Sequence, residues 1–144
     1  MLNVYSRILV AYDGSELAGK ALDFALKAAQ EDEQVEVDVV TVFNPPVSMG
    51  SYGMYNETTI NEMKEDIKNS MGSVEEKLAE LPNKTSTHIL EGVPGKRLVD
   101  FAKEHDSDLI IIGNRGFSGL KEMFLGSVSH YVVQRAHCPV FVIK

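Results

Sequence analysis

The chain has 144 residues, 44% of them apolar and 24% charged, the balance of a globular domain rather than of a disordered or membrane-embedded chain. Its 21 acidic and 14 basic residues give a formal charge of -7, a sign that repels nucleic-acid backbones and anionic membrane surfaces, so neither is expected as a partner. No apolar run approaches the roughly 18 residues of a membrane span. The first residues carry no export pattern, and the single cysteine, Cys138, excludes an internal disulfide. One domain over residues 1–144 in the reducing cytoplasm is the expectation.

The first apolar run, Ile8-Leu9-Val10-Ala11-Tyr12, is short, carries β-branched residues and stops at Asp13-Gly14-Ser15, which reads as strand, tight turn and helix cap. From Leu17 to Ala29 the positions Leu17, Ala18, Ala21, Leu22, Ala25, Leu26 and Ala29 recur at helical spacing and predict an amphipathic helix. Residues Val35 to Phe43 predict a second strand. Its end, Val39-Val40-Thr41-Val42-Phe43, is apolar enough to be covered on both faces. Asn44-Pro45-Pro46 terminates it, since proline offers no amide to a sheet.

Residues Val47 to Asn56 show no periodicity and are expected to form a mobile loop. A long charged helix follows from Thr58 to Leu81, with Ile60, Met63, Ile67, Met71, Val74 and Leu78 on one face, and Pro82 closes it. The third strand is Ser86 to Leu90, and the turn Glu91-Gly92-Val93-Pro94-Gly95 feeds a helix that turns Leu98, Val99, Phe101 and Ala102 inward. A fourth strand, Leu109 to Ile112, ends at Gly113. A loop to Leu125 leads into a helix from Ser127 to Arg135, and the strand Val140 to Ile143 finishes the chain.

Alternating strands and helices demand parallel crossovers of one hand, which predicts a single α/β domain with a doubly wound five-stranded parallel sheet. We expect the strand order 3-2-1-4-5. The ligand crevice would then lie beyond the carboxyl ends of strands one and four, where the order reverses.

The most informative segment is Gly113-Asn114-Arg115-Gly116, then nine residues, then Gly126-Ser127-Val128-Ser129. It runs from a strand end to a helix start and so opens on that crevice. Glycines let backbone amides approach an anion and permit positive φ. The free amides of Ser127, Val128 and Ser129, at the positive end of a helix dipole, suit a phosphate, and the Ser127 and Ser129 hydroxyls would add donors. Taken singly, each glycine is as well explained as a turn former or helix cap; the combination at one crevice points to a phosphate ligand.

On this pattern, Gly113, Gly116, Gly126 and Ser127 in their spacing, the chain resembles the universal stress protein family, in its ATP-binding subclass. The resemblance extends from the strand ending in Asp13-Gly14-Ser15 to the closing Cys138-Pro139-Val140-Phe141-Val142. Asn114 departs from it, standing where members often carry a smaller residue. The resemblance implies ATP, with magnesium, phosphates at the glycine loop and following serines, and ribose at its first glycines. Gly113, Asn114, Arg115, Gly116, Gly126, Ser127, Val128 and Ser129 would hold these groups. It also implies Asp13 beside the sugar and phosphates, although the residue reads equally as a turn-forming helix cap, and the backbone of Val42 at the adenine edge, although its side chain reads as core.

A homodimer through the last strand and a protein partner of unknown identity are implied as well. The function so expected is a nucleotide-dependent regulatory protein of the stress response. Neither a Gly-Lys-Ser phosphate loop nor a placed general base is present, so ATP hydrolysis is expected to be slow or incidental and no catalytic residue is assigned. A nucleotide-free interaction module of the same fold is the alternative. Arg115 and Lys121 carry charge that could reach phosphate or remain in solvent. His88, His105, His130 and His137 lie on different elements without a shared ligand spacing, so no metal site is expected.

Overall fold

The computed structural model describes residues 5–44, 57–114 and 126–144. Five strands and four helices alternate: β1 (Arg7–Ala11), α1 (Glu16–Glu31), β2 (Glu36–Phe43), α2 (Glu57–Ala79), β3 (Thr85–Glu91), α3 (Pro94–Glu104), β4 (Leu109–Gly113), α4 (Ser127–Arg135) and β5 (Val140–Ile143). All four strand pairings are parallel, in the order β3-β2-β1-β4-β5. The predicted sheet order is the observed one, and element ends differ from expectation by at most about two residues, the ordinary uncertainty of such boundaries.

β1 lies at the centre because Ile8, Leu9 and Val10 are buried on both of its faces. On one face Ile8, Val10, Val37, Val39 and Ile111 pack against α1 and the C-terminal part of α2. On the other, Leu9, Val40, Ile110 and Ile112 pack against Leu98, Phe101 and Ala102 of α3 and Val132 of α4. Each such aliphatic side chain contributes about 1.5–3 kcal/mol by leaving water.

The helices start where the sequence supplies caps. Asp13 Oδ1 accepts from the Ser15 amide at 2.9 Å, and Ser15 Oγ accepts from the Ala18 amide at 3.2 Å, so the turn after β1 becomes the N-terminus of α1. Pro94 occupies the first turn of α3, where its missing amide costs nothing. At the far end of α1, Asn83 is buried and its Nδ2 lies 3.1, 2.9 and 2.8 Å from the carbonyls of Ala29, Asp32 and Val35. One amide thus ties the end of α1 and the start of β2 to the segment entering β3.

The apolar face of α2 is covered only in part. Met71, Val74 and Leu78 are buried, Ile60 and Ile67 are half-buried and Met63 is 37% exposed. The stripe is continuous in sequence, but only its later part, Met71, Val74 and Leu78, joins the core cluster against the sheet. The 47–56 segment lies outside the described residues. No helix among the described residues is long and apolar enough to cross a membrane.

Candidate functional site

β1 and β4 end side by side, yet their chains leave toward opposite faces of the sheet, into α1 and into α4. That divergence opens a cavity of about 230 Å³ beyond the strand ends. Its lining is of two kinds. Val40 and Val42 of β2 with Pro94 and Leu98 of α3 are among its apolar residues. Asp13, Ser15, Asn114, Gly126, Ser127 and Ser129 supply the polar groups.

The structure therefore brings together eight of the sequence-predicted residues: Asp13, Val42, Gly113, Asn114, Gly126, Ser127, Val128 and Ser129 all line this cavity. Arg115, Gly116 and Lys121 lie outside the described residues. Tyr12, Ser15, Ala18, Pro94 and Leu98 also line it and were missed. The signal for Ser15 and Ala18 was present, since a strand end that caps a helix must place the first turn of that helix at the crevice. Pro94 and Leu98 could not be found from sequence, because their approach depends on how α3 packs across the sheet.

The hydrogen bonds around the cavity fix its walls. The Tyr12 amide donates to the Val40 carbonyl at 2.9 Å and the Tyr12 carbonyl accepts from Thr41 Oγ1 at 2.7 Å, locking the ends of β1 and β2 together. The Asn114 amide donates to the Ile143 carbonyl at 2.7 Å, and the Asn114 carbonyl accepts the Gly126 amide at 2.7 Å. Asn114 thereby joins the end of β4, the end of β5 and the residue that caps α4.

Two roles differ from those read in sequence. Gly113 does not adopt positive φ, and a Cβ built there would stand 2.9 Å from the Leu17 Cβ. The position needs glycine because the first turn of α1 presses on the end of β4. Ser129 is 2% exposed, and its hydroxyl hydrogen is directed at the Asn114 carbonyl at 3.2 Å and the Gly126 carbonyl at 3.0 Å. That hydroxyl is spent on the architecture of the site and is not free for a ligand. Ser127 remains with an uncommitted hydroxyl among the described contacts, and the first-turn amides of α4 have no intrahelical acceptor.

A wall of helix packing holds this arrangement. A Cβ at Gly95 in the first turn of α3 would lie 2.7 Å from the Tyr131 ring on α4, so the two helices touch there without an intervening side chain. The close contact sets the spacing between Pro94 and Leu98 on one side of the cavity and Val128 on the other.

Fold and site together define a doubly wound parallel α/β domain with its cavity at the switch point of the sheet. Comparison with known proteins identifies the lineage. The model of the universal stress protein family matches residues 5–144. The universal stress protein YxiE of Bacillus subtilis is 36% identical, over 98% of this chain and all of its own length. Among solved structures, the universal stress protein UspA from Lactobacillus plantarum superposes with a TM-score of 0.82 at 26% identity, covering 99% of this chain and 100% of that one. The universal stress protein from Archaeoglobus fulgidus in complex with dAMP gives a TM-score of 0.62 at 28% identity over 99% of this chain and 100% of that one. The chain belongs to the universal stress protein family.

Proposed function

We propose that this protein binds ATP with magnesium in the cavity at the ends of β1 and β4 and acts in the cytoplasm as a nucleotide-dependent regulator of a stress response. The observation that carries the reading is the cavity itself, whose lining joins apolar side chains such as Val42 and Leu98 to the first turn of α4. A purine suits the apolar lining, and the amides of Ser127, Val128 and Ser129, with the positive end of the helix dipole, suit phosphates. The related Archaeoglobus fulgidus protein, solved with dAMP, supports an adenine nucleotide as the ligand class.

Asp13 is the one acidic side chain among the described residues lining the cavity, and its Oδ1 already accepts from Ser15. A single carboxylate beside phosphate oxygens fits the way magnesium is usually held by proteins. In this reading Asp13 and the phosphates share the cation, while the backbone of Val42 meets the adenine edge, and Arg115, Gly116 and Gly126 complete the phosphate and ribose contacts. In this reading the role is binding and signalling, with hydrolysis slow at most.

The partner-facing part of the proposal is a homodimer through β5. β5 is an edge strand, and Phe141 on it meets Tyr5 and Phe24 edge-on, with ring centroids at 5.6 and 5.7 Å. Phe24 is 43% exposed. Pairing of two β5 edges would cover this aromatic group and the open ladder. Sedimentation of the intact protein at micromolar concentration, yielding monomer alone, would remove the dimer.

The nucleotide is tested by denaturing freshly purified protein, identifying what is released by chromatography, and titrating ATP with magnesium by calorimetry. Released or saturably bound ATP is expected. No nucleotide in either assay leaves the nucleotide-free interaction module as the reading.

A further inference from the structure

At the opposite end of α3 from the cavity, two histidines that are 17 residues apart in sequence meet. His88 is on β3, the other edge of the sheet, and His105 is the C-cap of α3. Their ring centroids are 5.9 Å apart, and both rings rest on Phe101, at 4.8 Å from His88 and stacked at 3.8 Å on His105. Both side chains are half-buried, so the pair is reachable from solvent.

Hydrogen bonds fix the tautomer of each ring. His105 Nδ1 is 3.0 Å from the Phe101 carbonyl, which only accepts, so Nδ1 carries the hydrogen and Nε2 keeps the lone pair. Ser86 Oγ donates to Asp38 Oδ1 at 2.5 Å, and with its hydrogen so used it accepts from His88 Nε2 at 2.9 Å. His88 Nδ1 therefore keeps its lone pair. Among the described residues nothing pairs with His88 Nδ1 or His105 Nε2.

These are the outer contacts that metal-binding histidines use. One ring nitrogen donates to a carbonyl, the other to a hydroxyl backed by a carboxylate, and the remaining nitrogen of each is left basic. A metal held about 2.0–2.1 Å from one nitrogen of each of two imidazoles places their centroids roughly 5–6.5 Å apart, and the observed 5.9 Å lies in that range. The surroundings favour a cation. His105 stands at the negative end of the α3 dipole. Asp38 is 4% exposed, and the nearby Arg7 guanidinium is matched by Asp38 at 3.1 Å and Glu36 at 3.6 Å.

We propose that His88 and His105 form a binding site for a borderline divalent metal ion of the zinc type, separate from the nucleotide cavity and independent of the reading given to it. No group of three or more His, Cys, Asp or Glu suited to a metal occurs among the described residues, so water or an outside ligand completes the shell. The site is thus exchangeable rather than structural. Imidazole nitrogen, rather than oxygen alone, selects zinc, copper or nickel over magnesium or calcium.

Calorimetric titration of the intact, nucleotide-free protein with Zn²⁺ should show a saturable site. His88→Gln and His105→Gln should each weaken it roughly tenfold or more, and Ser86→Ala, which removes the outer contact of His88, by a comparable or smaller factor. His130→Gln and His137→Gln should leave it unchanged. Imidazole ¹⁵N spectra of the unsubstituted protein avoid any dependence on how variants fold. Zn²⁺ should move the His88 Nδ1 and His105 Nε2 resonances together, and Mg²⁺ should not. Zinc that leaves both resonances in place, or binding lost only with His130 or His137, overturns the proposal.

Discussion

The amide of Gly126 donates to the carbonyl of Asn114 at 2.7 Å, so the two residues that flank segment 115–125 are held together. The same carbonyl accepts from Ser129 Oγ, and the Asn114 amide is fixed on Ile143. The start of α4 is therefore positioned by β4 and β5 before any ligand arrives. The phosphate site proposed here would be preorganised, and binding would not need to order the helix terminus.

The first prediction separates the backbone of that terminus from its side chains. Ser127 is the first residue of α4, where proline is tolerated because its amide lacks an intrahelical partner. Ser127→Pro should keep the thermal stability and weaken ATP about tenfold or more, since a hydrogen bond to a charged group contributes about 1.5–3 kcal/mol. Ser127→Ala removes only the hydroxyl and should cost less. Equal affinity in the proline variant would place the phosphates away from this turn.

Gly113→Ala tests the role assigned to the first glycine. The added Cβ meets Leu17 at 2.9 Å, and crowding of this kind costs about 1–3 kcal/mol. Urea denaturation should show the loss, and Leu17→Ala in the same chain should not restore it, because alanine keeps the Cβ that the new methyl meets. A fully stable Gly113→Ala protein that has lost only ATP would return the residue to the ligand.

Asn83→Ala leaves three backbone carbonyls, of Ala29, Asp32 and Val35, without their shared donor. Buried acceptors stranded in this way cost about 1–3 kcal/mol, and the denaturation midpoint should fall accordingly. Asn83→Asp should be worse still at neutral pH, because it sets a carboxylate against the same carbonyls. ATP affinity should not change in either variant, the residue being remote from the cavity lining.

Cys138 is half-buried, and burial, then the Asp108 carboxylate, push its thiol pKa up. A raised pKa means less thiolate at neutral pH, and the thiolate is the nucleophile. Alkylation by iodoacetamide should be slower than for an unhindered thiol, with its rate still rising at pH values where a free cysteine has levelled off. A rate equal to that of free cysteine at every pH would contradict the assignment.

Much of this was legible because the signals are local. β4 and β5 announce themselves as short β-branched runs, and Ser127 to Arg135 announces the helix it forms, since strand length, helix period and cap residues are properties of neighbouring positions. The cavity followed from the same local signals. A strand end and a helix start with glycine and serine between them must meet at the switch point of a doubly wound sheet. How much of the α2 stripe is buried was not legible, because periodicity records which face of a helix is apolar and not whether an element lies opposite each turn.

By itself, then, the sequence determined the class of fold and eight residues of one cavity through short-range pattern and chain connectivity, while among the strand orders those crossovers allow, the tertiary structure decided for β3-β2-β1-β4-β5. Tertiary structure alone decided that Gly113 yields to Leu17, that the Ser129 hydroxyl is consumed by Asn114 and Gly126, and that Asn83 holds three carbonyls. It also decided that His88 and His105, which share no spacing, meet across Phe101. Each of these depends on distances between elements far apart in the chain. Those distances are set by side-chain packing in three dimensions, which the order of residues constrains but does not display.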